Sequence, residues 1–357
     1  RSTPQRPPAP SSWSSPAPAA AVVFANVTLR DNTLTNLHAA LLDTVQGDQK
    51  VKALNELFRA HLRSDPVTAV GYAQQALLLA SEIDDKRGLA ASYNNMGVAY
   101  RSQGALDKAL KYYITSLQLY DSLGNREGVA TTKNNIANIY SMKRDYSQAM
   151  RYLEESYSLF EEMNDPFRLI GSMNNLGNLY HDINMDEKAL DYYTRAYSLS
   201  EKNGAKFGDP LNNVGNIYFN HGNYQVAIGY YEKALEIERQ HNNRLGVLNT
   251  VTNIGITYTK ARQPKKAEMY LGEALKLSEE LQALTSLPSV YKASAENYSV
   301  QGKWKDAYEM QLKYDEMRET LRARLAAYAG ADADEIAVVR NTSEANGIVV
   351  GGLLVAG

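Results

Sequence analysis

The side chains best placed to do chemistry in this sequence are carboxamides. Asn94, Asn134, Asn174 and Asn212 each open an Asn-Asn pair, and four residues on come Val98, Asn138, Asn178 and Asn216. A spacing of four puts the members of each couple on one stripe of a helix. A carboxamide carries two donors and an acceptor, which suits the main chain of an extended peptide whatever its side chains. The next asparagine of each pair (Asn95, Asn135, Asn175, Asn213, and Asn253 further on) leaves the helix in another direction and reads as a tie between neighbouring helices. Arg101, His181 and Lys292 add charge along the first stripe.

Other chemistries find no constellation. The histidines His38, His61, His181, His221 and His241 are scattered, with no two at i, i+4, so no helical metal pair is expected. The absence of cysteine excludes disulfides and thiolate metal sites and leaves the redox compartment open. No glycine-rich phosphate loop runs into Lys-Ser or Lys-Thr. Carboxylates alternate with Lys and Arg at helical surface spacing, as on a solvated face. The net charge of −2 with mixed signs gives no basic footprint for nucleic acid. With no complete catalytic site, the chain is expected to be neither an enzyme nor a cofactor protein. No apolar run reaches the roughly 18 residues that span a bilayer, so membrane contact is expected only if the chain continues past Gly357. It starts at Arg1 and reads as a piece of a longer protein, cytoplasmic, or periplasmic if a signal peptide precedes it.

The asparagines are positioned by a repeat. The pattern Asn-Asn-x-(Gly/Ala)-x-x-Tyr ends at Tyr100, Tyr140, Tyr180 and Tyr218, with looser copies at Tyr258 and Tyr298, in steps of 40, 40, 38, 40 and 40. An alanine nine residues after each tyrosine (Ala109, Ala149, Ala189, Ala227, Ala267, Ala307) keeps the same phase, and Ala69 begins a degenerate seventh copy. Each unit reads as two helices. Met173, Leu176, Gly177 and Tyr180 make one face of the first. After a break at 181–185, Asp186 is expected to cap a second helix carrying Ala189, Tyr193 and Ala196. Small residues mark close helix approaches, and tyrosines fill the adjacent gaps with hydroxyls able to reach polar partners. The short step is a deletion near 203–210, where Pro210 starts the next helix.

Tyr93-x-x-Met96-Gly97-x-x-Tyr100 followed by Ala109-x-x-x-Tyr113 resembles the tetratricopeptide repeat, with tyrosine standing in for the family's Trp and Phe. The period is longer than the family's usual 34, with the extra residues after the alanine, which implies a longer second helix and exit loop. That resembles the long-repeat branch of kinesin light chains and bacterial sensor regions. The resemblance implies an all-α, right-handed superhelical solenoid of about seven helix-turn-helix repeats over 45–322. A disordered Pro/Ala/Ser-rich segment (1–20) and a capping helix region (21–44) precede it, and a non-repeat tail (323–357) follows. It implies that first helices line a concave groove, so that Asn94, Arg101, Asn134, Asn138, Asn174, Asn178, His181, Asn212 and Asn216 form a peptide-binding ladder. The expected role is a scaffold or the sensory module of a signalling protein, with a protein or peptide partner. The tail, around Asn341-Thr342-Ser343-Glu344-Ala345, resembles the N-terminal part of class V PLP-dependent enzymes. That resemblance implies Thr342 and Ser343 as phosphate contacts at a helix start, in a site this chain does not complete. It carries the alternative reading, a fragment of a larger enzyme of that class or of a kinase or cyclase. The same tail also reads as the opening of a membrane helix.

Overall fold

The structure is a computed structural model and describes residues 42, 44–62, 66–204, 207–281 and 283–329. Among these residues there are fourteen helices and no strand: α1 (Gly47–His61), α2 (Pro66–Glu82), α3 (Lys86–Ser102), α4 (Leu106–Ser122), α5 (Arg126–Met142), α6 (Tyr146–Glu162), α7 (Pro166–Asp182), α8 (Asp186–Lys202), α9 (Asp209–Asn220), α10 (Tyr224–Gln240), α11 (Arg244–Lys260), α12 (Pro264–Glu280), α13 (Leu287–Val300) and α14 (Trp304–Ala329). They pack as seven consecutive antiparallel pairs. Odd-numbered helices also touch from pair to pair and even-numbered ones do not, which crowds the odd helices on the inner, concave side of a solenoid. α14, the longest helix at 26 residues, comes back into contact with α2.

Loop chemistry explains why the tyrosine marks the period. Most helices are joined by three-residue loops whose middle residue has positive φ, such as Gly104 (74°), Asn184 (59°) and Gly222 (75°). The third loop residue then donates its N–H back to the motif tyrosine's carbonyl: Ala105 to Tyr100 (3.0 Å), Met185 to Tyr180 (2.8 Å) and Asn223 to Tyr218 (2.8 Å). This is the Schellman closure, which satisfies carbonyls left open at a helix end. Arg144 and Arg262 adopt the same left-handed conformation without being glycine, at φ 61° and 59°. The following helix is often capped by a side chain, as Asp85 caps Gly88 N–H at 2.9 Å and Asn243 caps Gly246 N–H at 3.1 Å.

The extra residues of the long period are not in the exit loop. The helices from α2 to α8 and from α10 to α12 are all 17 residues long, and after α2, α4, α6 and α10 the loop that follows a pair is as short as the turn within one. The additional length goes into the second helix and the start of the next first helix. The deletion at the 38-residue step shortens α9 to 12 residues and leaves its loop to take up the missing first turn. There Glu238, 3% exposed, enters the gap and accepts the Gly208 N–H at 3.0 Å. Asp186 is also not the cap expected of it. It is the first residue of α8, whose capping residue, Met185, offers no side-chain bond.

Inside a pair, the small residue of the first helix seats a large one from the second. Rings of Tyr113, Tyr193 and Tyr231 lie under Gly97, Gly177 and Gly215, where an added Cβ would come within 2.5 Å of ring atoms. Where the small residue is Ala137, the partner is the slimmer Leu153. Ser116 and Ser156 fasten the same interface by donating to the Ala90 and Ala130 carbonyls, each at 2.8 Å. Outside it, the motif tyrosines other than Tyr298 each stack on a tyrosine of the second helix, from Tyr100–Tyr112 (5.1 Å) to Tyr258–Tyr270 (5.7 Å). Lysines such as Lys188 over Tyr180 (5.2 Å) cover the stacked faces.

Candidate functional site: the carboxamide ladder of the inner helices

The asparagine pairs form a ladder, and it runs between repeats. Asn135 donates its amide to Asn94 Oδ1 at 3.0 Å, Asn175 to Asn134 Oδ1 at 2.9 Å, and Asn213 to Asn174 Oδ1 at 3.4 Å. The second asparagine of each pair is thus the tie that its direction implied. Its acceptor is the first asparagine of the repeat before. The ladder begins one rung earlier than the sequence motif, because Asn95 donates to Asn55 Oδ1 at 2.7 Å and Asn55 to Ser92 Oγ at 3.0 Å. Asn55 escaped the sequence reading because its repeat lacks the Gly and Tyr of the motif.

These bonds fix which half of each amide remains. In Asn94, Asn134 and Asn174 the oxygen is engaged, and among the described residues their Nδ2 groups carry no hydrogen bond. The second member of each couple behaves alike: Tyr193 donates its hydroxyl to Asn178 Oδ1 at 2.7 Å, and Tyr231 donates to Asn216 Oδ1 at 2.8 Å. Burial, aided by Asp182 and Asp186, pushes the Tyr193 hydroxyl well above the usual tyrosine range, so it stays a donor. Asn138 has no tyrosine beneath it, since Leu153 stands there. In α3 the couple is Asn94/Val98, and the buried Tyr113 lies by Arg101 instead; burial pushes its hydroxyl up to about 12 against the pull of that guanidinium. Asn212 is placed differently. It is 9% exposed and donates to Thr250 Oγ1 of α11 at 2.8 Å.

His181 belongs to a cluster the sequence did not announce. Its Nδ1 lies 2.6 Å from Asp186 Oδ1, its Nε2 lies 3.1 Å from Asn220 Nδ2, and His221 Nε2 reaches Asp186 Oδ2 at 2.6 Å. An Nδ1–H tautomer of His181 satisfies both of its contacts, donating to the carboxylate and accepting from the amide. Burial on its own would raise the Asp186 carboxyl, but the hydrogen bonds from the two imidazoles outweigh it and hold the group below the ordinary carboxylate value. The cluster clamps α7, α8 and α9 at the point where the repeat is short. Among the described residues no group of three His, Cys, Asp or Glu is arranged to hold a metal ion, and no helix is long and apolar enough to cross a membrane. Thr342 and Ser343 lie outside the described residues, as do nearly all of residues 1–44.

Comparison with known structures agrees with this architecture. The chain is similar to the apo form of RapI (TM-score 0.56, 15% identity, 77% of this chain and 99% of that one). It is also similar to a Rap protein complexed with competence and sporulation factor (0.61, 13%, 82% and 81%). A third relative is a Rap conjugation gene regulator in complex with a Phr peptide (0.58, 16%, 79% and 77%). At these identities the likeness is one of fold. No protein of curated function matches the sequence. One tetratricopeptide repeat profile matches residues 60–120, 88–162 and 208–280, and a second matches 172–206. Together they cover more than half of the sequence, and the chain belongs to the tetratricopeptide repeat family.

Proposed function

We propose that this chain is a peptide-binding solenoid, the scaffold or sensory part of a signalling protein, which holds an extended peptide along its inner helices. The observation that carries this reading is the polarity of the ladder. Protein hydroxyls and amides occupy the oxygens of Asn134, Asn174, Asn178 and Asn216, which leaves a file of amide donors. A peptide main chain meets such a file with its carbonyls, so recognition is largely independent of side-chain identity. One structurally similar protein was solved with a Phr peptide and another with competence and sporulation factor, which supports the same use of the fold here.

The test exploits the double duty of each amide. Asn134→Asp/Asn174→Asp keeps an oxygen for Asn175 and Asn213 and removes the donors. Binding to a peptide array should be lost, by about tenfold or more in Kd for the best peptides, with the melting temperature unchanged. Asn134→Ala/Asn174→Ala should lose both binding and stability. Unchanged binding by the folded aspartate variant would sink the ladder as a ligand site.

A further inference from the structure

We propose that the exposed face of the last pair, formed by α13 and α14 with the end of α11, is the seat for an acidic amphipathic helix of a partner protein. The repeat register shows why that face is a helix seat. One residue after the period-marking alanine of α4, α6, α8 and α10 stand Leu110, Met150, Leu190 and Ile228, and in α12 the same position is Glu268. Each of the four apolar residues packs on the first helix of the next repeat, against Ile136 and Ile139, Leu176 and Leu179, Val214 and Ile217, and Ile254 respectively. Tyr308 occupies this position in α14 and is 64% exposed, where Ile228 is 1% exposed. Three residues before the alanine, Leu106 and Tyr146 are packed in the same way, and Trp304 in their place is 70% exposed. With Val300 these rings wall an open cavity of about 680 Å³.

The chemistry of the occupant follows from the rest of that cavity. Lys260 is paired with Glu296 at 3.3 Å, but Arg262 and Lys292, also in the lining, have no ion-pair partner among the described residues. Two free cations beside an aromatic wall favour a helix that brings carboxylates on the flanks of its apolar stripe. Opposite Trp304 and Tyr308 such a helix needs an apolar i, i+3 pair like Ile136/Ile139 and Leu176/Leu179, whereas α13, which follows Glu268 in α12, carries Ser294 and Asn297 in that register. The chain's own continuation in that register offers Asp334 and Ala337 instead, which is the argument for an occupant from outside.

Trp304 makes the test direct, because Trp13 is the only other tryptophan of the sequence and Trp13→Phe leaves a single reporter. The probe is a synthetic helical peptide of about 20 residues with leucines at i, i+3 and i+7 and glutamates flanking them, alongside the same peptide with lysines for glutamates. Expected is a saturable shift of Trp304 emission to shorter wavelength with the acidic peptide alone. Arg262→Glu/Lys292→Glu should weaken that peptide about tenfold and admit the lysine one. Equal response to both peptides, or none to the acidic one, overturns the proposal. So does emission already at short wavelength that turns red when 330–357 is deleted, which would make the chain's own tail the occupant. Emission that depends on protein concentration, alongside a dimer in sedimentation, would assign the seat to a second copy and overturn it equally.

Discussion

Replacing Gly177 with alanine tests the packing rule of the whole array. The new Cβ would meet the Tyr193 ring at 2.5, 2.8 and 2.9 Å, all shorter than real Cβ contacts allow. The ring has little freedom to retreat, being 2% exposed and pinned at its far end by the 2.7 Å bond to Asn178. Overpacking a filled core costs about 1–3 kcal/mol, and a clash with three ring atoms belongs near the top, about 3. Alanine's better helix propensity returns about 1, leaving a net loss of about 2 kcal/mol. Tyr193→Leu alone should also cost about 2 through the vacated volume and the lost hydroxyl bond. The pair Gly177→Ala/Tyr193→Leu recreates the Ala137/Leu153 arrangement found one repeat earlier, so it should lie only about 1 kcal/mol below wild type. The coupling between the sites is then about 3 kcal/mol. Urea unfolding followed by far-ultraviolet circular dichroism measures all four proteins. Gly177→Ala as stable as wild type, or a double variant as unstable as the two losses added, would refute the reasoning.

Two further substitutions probe the irregular places. The buried Glu238 carboxyl is pushed above the ordinary glutamate value, first by burial and then by Asp209, with Asn243 and the Gly208 N–H working against the rise. The folded state therefore binds its proton more tightly than the unfolded chain, and stability should fall as pH rises from the ordinary glutamate value through the raised one. Glu238→Gln should remove that slope and be the more stable protein at neutral pH, as read from melting temperatures between about pH 4 and pH 8. Arg144 holds a left-handed backbone that a side chain disfavours by about 1 kcal/mol or more, so Arg144→Gly should raise the urea midpoint by about 1 kcal/mol of stability.

Much of the fold was legible because each period-marking residue has a local duty. The tyrosine supplies the carbonyl that closes its helix, and the glycine and alanine sit where helices approach closely. A regular spacing of such duties can be read without knowing any long-range contact. The site was less legible, because its bonds connect residues about one period apart. The tie by the second asparagine could be read from its direction on the helix. That the first asparagine accepts that tie, and so keeps only its amide free, could not. The His181–Asp186–His221 clamp was hidden for a different reason: at a 38-residue step its members fall out of phase, so no column of the repeat displays them together. A usable signal did exist in the charges. Arg126–Glu162, Arg244–Glu280 and Lys260–Glu296 are ion pairs 36 residues apart, and opposite charges at that separation can be sought in any such array. The long-period residues were misplaced because a helix end that lengthens by three leaves no mark in sequence when the loop beyond it keeps its length.

The return of α14 to α2 changes what kind of polymer this array is. A stack of repeats with free ends unravels from its tips, since each terminal unit is held on one side only and stability is a sum over neighbours. Here the first and last pairs also hold each other. A loss at either tip is therefore felt at the opposite one, and a ligand that tightens one end stiffens the far end without any signal travelling through the middle.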